Sequence, residues 1–177
     1  MTLDPGLWEQ VRARANRVCE YCGVSEEDTG GMLTVDHHRP QSQKGEDDFE
    51  NVVYCCFRCN TYKGKYWPSE PGGPSLWNPR REPFGEHLLR LAVGTLYPIS
   101  PTGSLTLNQL HLNRPPLVAY RLRKLKALEK SQRVARLKES LASLGQLRVE
   151  RLHLTEDQTR LLAEHRRLLE VFLRDLD

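Results

Sequence analysis

Val35-Asp36-His37-His38-Arg39-Pro40 stands between two Cys-x-x-Cys pairs, Cys19/Cys22 and Cys56/Cys59, and Asn60 follows the last cysteine. Two close pairs of thiolates suit one tetrahedral zinc, an ion without redox chemistry that favours soft sulfur. Such a clip ties two loops together and fixes what lies between them. Here that includes a carboxylate, an imidazole and, beside the last cysteine, an amide. These groups can hold a hard divalent ion and activate a water next to it.

Working outward, Asp4 can cap a helix that begins at Pro5, and Leu7, Trp8, Val11 and Ala15 give that helix one apolar face. Ser25 to Gly31 is acidic and turn-rich and reads as a loop. Met32 to His37 reads as a strand ended by Pro40, and Asn51 to Tyr54 as a second short strand beyond a polar loop. Phe57 to Lys65 has helical character, with Asn60 and Lys63 on one face. Residues 66 to 83 are rich in proline and read as an irregular connection. Residues 86 to 113 read as a hairpin or small sheet, with Pro101-Thr102-Gly103 as a turn before Leu105, Leu107 and Leu110. From Leu117 the pattern is helical: Val118, Leu122, Leu125, Val134, Leu137, Leu141 and Leu144 form a stripe. Gly145 is a plausible stop, and Thr155 with Gln158 a capping box for a second helix carrying Leu161, Leu162 and Leu168. The expected fold class is α+β, in three parts: residues 1–66 around the cysteines, a β extension over 67–116 packed on that core, and a basic amphipathic helical hairpin over 117–177.

Val35 to Pro40, Gly45, Asn51-Val52-Val53 and Cys56-Phe57-Arg58-Cys59-Asn60-Thr61-Tyr62-Lys63-Gly64 resemble, in order and spacing, the HNH endonucleases of the ββα-metal type. The resemblance covers roughly residues 15 to 65. Trp77-Asn78-Pro79-Arg80-Arg81 and Leu112-Asn113-Arg114-Pro115 are also similar to an extension of some bacterial members. The resemblance implies a ββα core and a metal-dependent endonuclease. His37 would be the general base, because a neutral imidazole near pH 7 has the right proton affinity. Asp36 would ligate the catalytic ion, magnesium or another divalent cation, and Asn60 occupies the motif's last position, where its carboxamide can join it. Asn51 matches the middle Asn, expected to bond the loop backbone and so orient His37. Bland readings stand beside these: a turn-capping Asp36, a helix-start cap at Asn60, and simple turn formation by Asn51. Lys63 reads equally as a phosphate contact or a solvated lysine. Two departures from the pattern are His38, where an apolar residue is common, and Lys44-Gly45, where two glycines are usual. The acidic run Glu46-Asp47-Asp48 reads as a solvated face.

The chain has 177 residues and a formal net charge of +3, too small a value to imply a polyanionic partner by itself. Five cysteines, four of them in metal spacing, point to a reducing cytoplasm rather than a disulfide framework. Cys55 is left over, as a small buried residue or an alternative zinc ligand. The opening residues lack a basic region followed by an apolar run, and no apolar stretch approaches the roughly 20 residues of a membrane span. The densest basic stretch is Arg121 to Lys138. Arg123, Lys124 and Lys126 within it are the candidate contacts to a DNA backbone, against the reading of an ordinary charged helix surface. The apolar stripe on the same segment serves either internal packing or a homodimer seam. Two other classes compete with an endonuclease: a zinc-stabilised nucleic-acid-binding module without catalysis, and a zinc-stabilised scaffold whose tail binds a protein.

Overall fold

The computed structural model describes residues 4–70 and 72–174. The chain divides into two compact units, Met1–Leu125 and Lys126–Asp177. In the first, α1 (Pro5–Arg14) starts where Asp4 accepts a hydrogen bond from the Leu7 amide at 2.9 Å, with Pro5 in the first turn. Its apolar face puts Val11 into the core and Trp8 edge-on to Tyr54, with ring centroids 6.0 Å apart. The chain then turns through Cys19–Cys22. The next segment, expected as a loop, holds a one-turn helix, α2 (Glu26–Thr29). Ser25 and Asp28 cap it reciprocally, a signal present in the sequence but passed over.

Strands β1 (Thr34–His37) and β2 (Val52–Cys55) pair antiparallel, with His37 opposite Val52 and Asp36 opposite Val53. Helix α3 (Phe57–Lys63) follows at once and ends at Gly64. All four residues of β2 are buried, so this strand is the spine of the unit. Two part-buried hydrogen bonds from side chains to its backbone brace it. Glu20 accepts from the Tyr54 amide at 2.7 Å, and Arg14 donates to the Val52 carbonyl at 2.6 Å.

Beyond α3 the two tryptophan- and asparagine-bearing motifs act as packing devices. Trp77 is buried edge-on to Tyr21 and Phe84, and its amide donates to the Thr106 hydroxyl at 2.7 Å. Asn113 exchanges two 2.8 Å hydrogen bonds with the Leu96 backbone. The expected hairpin is present as β3 (Leu88–Arg90) against β4 (Leu96–Pro98). Leu105 and Leu107, however, lie on a helix, α4 (Pro101–Gln109), and not on a strand. Ser100 caps it by accepting from the Gly103 amide at 3.0 Å, and Pro101 fits the first helical turn. Ser-Pro here is a helix start, where the sequence reading took the proline as part of a turn.

The helical hairpin is also replaced. A single helix, α5 (Pro115–Arg174), runs through Gly145. A glycine inside a helix costs about 1 kcal/mol and does not by itself stop it. Thr155 opens no new helix, because its hydroxyl donates back to the Arg151 and Leu152 carbonyls inside the same one. In the first unit the start of α5 holds the zinc loop and the β3–β4 turn. Leu117 is buried, the Tyr120 hydroxyl lies 2.9 Å from the Gly23 carbonyl, and Arg121 donates to the Gly94 and Leu112 carbonyls. No helix among the described residues is long and apolar enough to cross a membrane.

Candidate metal centre and catalytic loop

The two cysteine pairs come from two turns that the fold brings together. Cys19 and Cys22 lie in a tight turn closed by a 2.9 Å bond from the Gly23 amide to the Cys19 carbonyl, with Gly23 at φ 82°. Cys56 caps α3 and Cys59 sits in its first turn. The four Sγ atoms lie within 4.8 Å of one another and all four residues are buried. Cys22 and Cys56 Sγ are 3.7 Å apart. A zinc at about 2.3 Å from each of four tetrahedral sulfurs spaces them by about 3.8 Å, so the set fits that ion. Four such cysteines are positioned to bind one zinc. Cys55 stays outside the cluster, wholly buried in the core, and burial drives its thiol pKa up.

Between the pairs, β1 ends on Asp36 and His37. The His37 Nε2 lies 2.6 Å from the Asp47 carboxylate, which also accepts from the Gln41 amide group at 2.7 Å. These two hydrogen bonds, His37's first, hold the Asp47 pKa below its ordinary value. Asp47 belongs to the acidic run read as a solvated face, so the sequence reading missed it. The available signal was topological: β1 and β2 pair antiparallel, so the loop joining them must return its residues to the end of β1.

Asn51 ties that loop down. Its side-chain oxygen accepts from the Arg39 amide at 2.9 Å. Its amide donates to the carbonyls of Arg39 at 3.1 Å and Glu46 at 2.9 Å. Asp48 in turn accepts from the Glu50 and Asn51 amides, both at 2.7 Å. Lys44, at the usual place of a glycine, adopts the left-handed conformation with φ 63°. That conformation costs a non-glycine residue roughly 1–2 kcal/mol, so the loop keeps its shape at a cost. Gly45 has no such freedom to lose, but a Cβ there would stand 1.8 Å from the Arg39 carbonyl oxygen. Gly45→Ala is expected to lose about 1–3 kcal/mol, the usual cost of forcing atoms into filled space, and to displace the carbonyl that Asn51 holds. Denaturant titration of the zinc-loaded protein, read against wild type, measures this.

Asp36 faces α3. Its Oδ2 lies 2.8 Å from the Lys63 ammonium, an ion pair, and has no other partner. Lys63 is therefore corrected: it is 1% exposed, a buried counter-charge to Asp36 and neither a phosphate contact nor a solvated lysine. Asn60 lies one turn before it on α3, half-buried. The Asp36 carboxylate is thus already paired with one cation, the Lys63 ammonium. His38 is a packing residue. It is 6% exposed, within 3.3 Å of the Leu76 carbonyl and edge-on to Trp67, and burial drives its pKa down. Of the basic candidates on α5, Arg123 and Lys126 are exposed, while Lys124 is paired with Asp28 at 3.3 Å.

Residues 19–65 match the family model of the HNH endonucleases. Neither a curated protein nor a solved structure matches the chain. The matched span runs from the first cysteine of the cluster through β1, the strapped loop and β2 to just past the end of α3, so the likeness to the HNH endonucleases lies in this segment.

Proposed function

We propose that the chain is a metal-dependent endonuclease that hydrolyses phosphodiester bonds in DNA, with His37 as the general base and one divalent ion held by Asp36 and Asn60. The observation that carries this reading is the contact between His37 and Asp47 at the mouth of the strapped loop. An ionised carboxylate only accepts hydrogen bonds, so Nε2 carries a proton, and in the neutral imidazole Nδ1 keeps its lone pair. Nδ1 is then the atom that takes a proton from water. Asn51 orients His37 through the loop: by fixing the Arg39 and Glu46 backbone it fixes Asp47, and Asp47 fixes the ring. A divalent ion, when bound, supplies Lewis-acid stabilisation of the charge on phosphorus and of the departing O3′. Lys63 holds the Asp36 carboxylate against α3, where Asn60 is carried on the same helix.

The test is nicking of supercoiled plasmid by zinc-loaded protein, with and without added magnesium, beside His37→Ala. Nicking that needs the added ion and the histidine supports the reading. Binding without nicking in any divalent ion leaves the non-catalytic zinc module instead.

Substrate grip is assigned to Arg123, Lys124 and Lys126. Replacing all three by Gln keeps helix propensity nearly constant. The expected result is uniformly weaker binding to all sequences and a salt slope reduced by about one unit per lost phosphate contact. Lys124 should contribute least, since Asp28 already neutralises part of it. An unchanged salt slope in a fluorescence-anisotropy titration removes these residues from the DNA interface.

A further inference from the structure

Every described side chain from Lys126 to Leu168 on α5 is exposed, including a set of large apolar ones. Their spacing is not scattered. Val134 and Leu141 are seven residues apart, as are Leu137 and Leu144, and Leu147, Leu154, Leu161 and Leu168 form a third seven-residue series, one heptad position before that of Val134 and Leu141. These eight side chains are between 42% and 68% exposed. An isolated α-helix has no use for a strict seven-residue repeat, because at 3.6 residues per turn the stripe drifts by about 20° each heptad. The drift disappears when helices supercoil. At 3.5 residues per turn the series fall on one face about 100° wide. Soluble proteins rarely leave such a strip uncovered.

The distribution of charge says what covers it. Arg121 to Lys138 holds eight basic residues and one acidic, Glu129. From residue 139 to the end of α5 at Arg174 there are six basic and six acidic residues. Two parallel copies would set the strongly basic half against itself. Antiparallel copies set it against the charge-balanced half, whose six carboxylates can offset it, and this helix supplies both halves. We infer that α5 pairs with the α5 of a second copy of this chain in an antiparallel coiled coil, the Val134–Leu144 patch of one copy covering the Leu154–Leu168 patch of the other. Arg148, Arg151, Thr155, Gln158 and His165 interrupt the seam. Polar seam residues of this kind lower stability and fix register. The pairing does not depend on the nuclease reading.

Light scattering of the full, zinc-loaded chain after gel filtration should give the mass of two chains. Leu154→Lys combined with Leu161→Lys should return the mass of one chain with unchanged zinc content, which shows that the first unit is intact. Orientation is read with a nitroxide on Gln132→Cys, an exposed position beside a set of native cysteines that are all buried. With 1.5 Å of rise per residue, an antiparallel pair centred near residue 151 separates the two labels by about 60 Å, and a parallel pair holds them within about 20 Å. A single-chain mass for the unaltered protein, a dimer that survives the double substitution, or a short label distance would each overturn the pairing.

Discussion

Stripping the metal from Cys19, Cys22, Cys56 and Cys59 is expected to collapse the first unit while leaving much of the helical signal of α5 in place. The reason lies in how little else joins the two cysteine turns. β1 and β2 have four residues each, and a lone two-stranded pair is marginal in water. The zinc set ties the turn after α1 to the first turn of α3, and β1, the loop strapped by Asn51 and β2 lie between them in the chain. Binding of a structural zinc supplies on the order of 10–16 kcal/mol, more than the whole stability of a typical small domain. Without it, four buried thiols face one another within 4.8 Å and no cation compensates their ionisation. Tyr21 sits inside the Cys19–Cys22 turn and packs edge-on to Trp77, so near-UV circular dichroism reports this region directly. Chelation should erase that signal and the cooperative melt, with a much smaller loss of far-UV helix. Metal analysis before treatment should give about one zinc per chain. Cys56→Ser should behave like partial chelation, since it removes a ligand while the serine hydroxyl can still cap α3. An unchanged melt after complete removal of zinc would show that the core, and not the clip, holds the unit together.

The parts of the molecule that a linear reading reaches are those whose physics is local. Cys-x-x-Cys spacing, Asp4 before Pro5, and the alternation around Leu33 and Val35 each act over a few residues, and the structure has the expected element at each. Where two local signals conflicted, the choice went wrong. Pro101 reads as a turn or as a first helical residue, and only the Ser100 cap decides. Gly145 reads as a stop, but a stop needs the backbone to leave the helix, and α5 continues. The site shows the same division. Asp36, His37, Asn51 and Asn60 are visible because they have fixed places in a motif. The roles of Lys63 and Asp47 are set by neighbours 27 and 10 residues away in the chain. A lysine next to a helix end gives no hint of burial until β1 is known to lie beneath it. An aspartate in an acidic run gives no hint of a partner until the loop closes. Such pairings are products of tertiary closure, and no residue-by-residue pattern encodes them.

His37→Ala is expected to reduce the cleavage rate by about 10²- to 10⁴-fold, the range a positioned general base contributes. At 1.36 kcal/mol per decade that is roughly 3–5 kcal/mol of barrier. The fold should survive, because the ring is 19% exposed and its hydrogen bond runs to Asp47, itself on the surface. Zinc content and melting temperature should therefore stay at wild-type values, which separates lost chemistry from lost structure. Asp47→Asn gives a graded companion. An amide can donate to Nε2 as well as accept from it, so it no longer enforces the tautomer that leaves Nδ1 free. In a buried triad the equivalent change costs about four decades. Asp47 is 40% exposed and water can replace part of its hold, so a loss of roughly ten- to a hundred-fold is expected here. Its effect should fall on kcat with KM unchanged, because the carboxylate acts on the base and not on the substrate. Asp36→Ala should differ again: it removes a ligand, so divalent-ion binding followed by calorimetry weakens along with the rate. It also strands the Lys63 ammonium in a buried site, which lowers stability as the other two changes do not. Full-rate cleavage by His37→Ala would remove the imidazole from the mechanism, and the water would then need a different base.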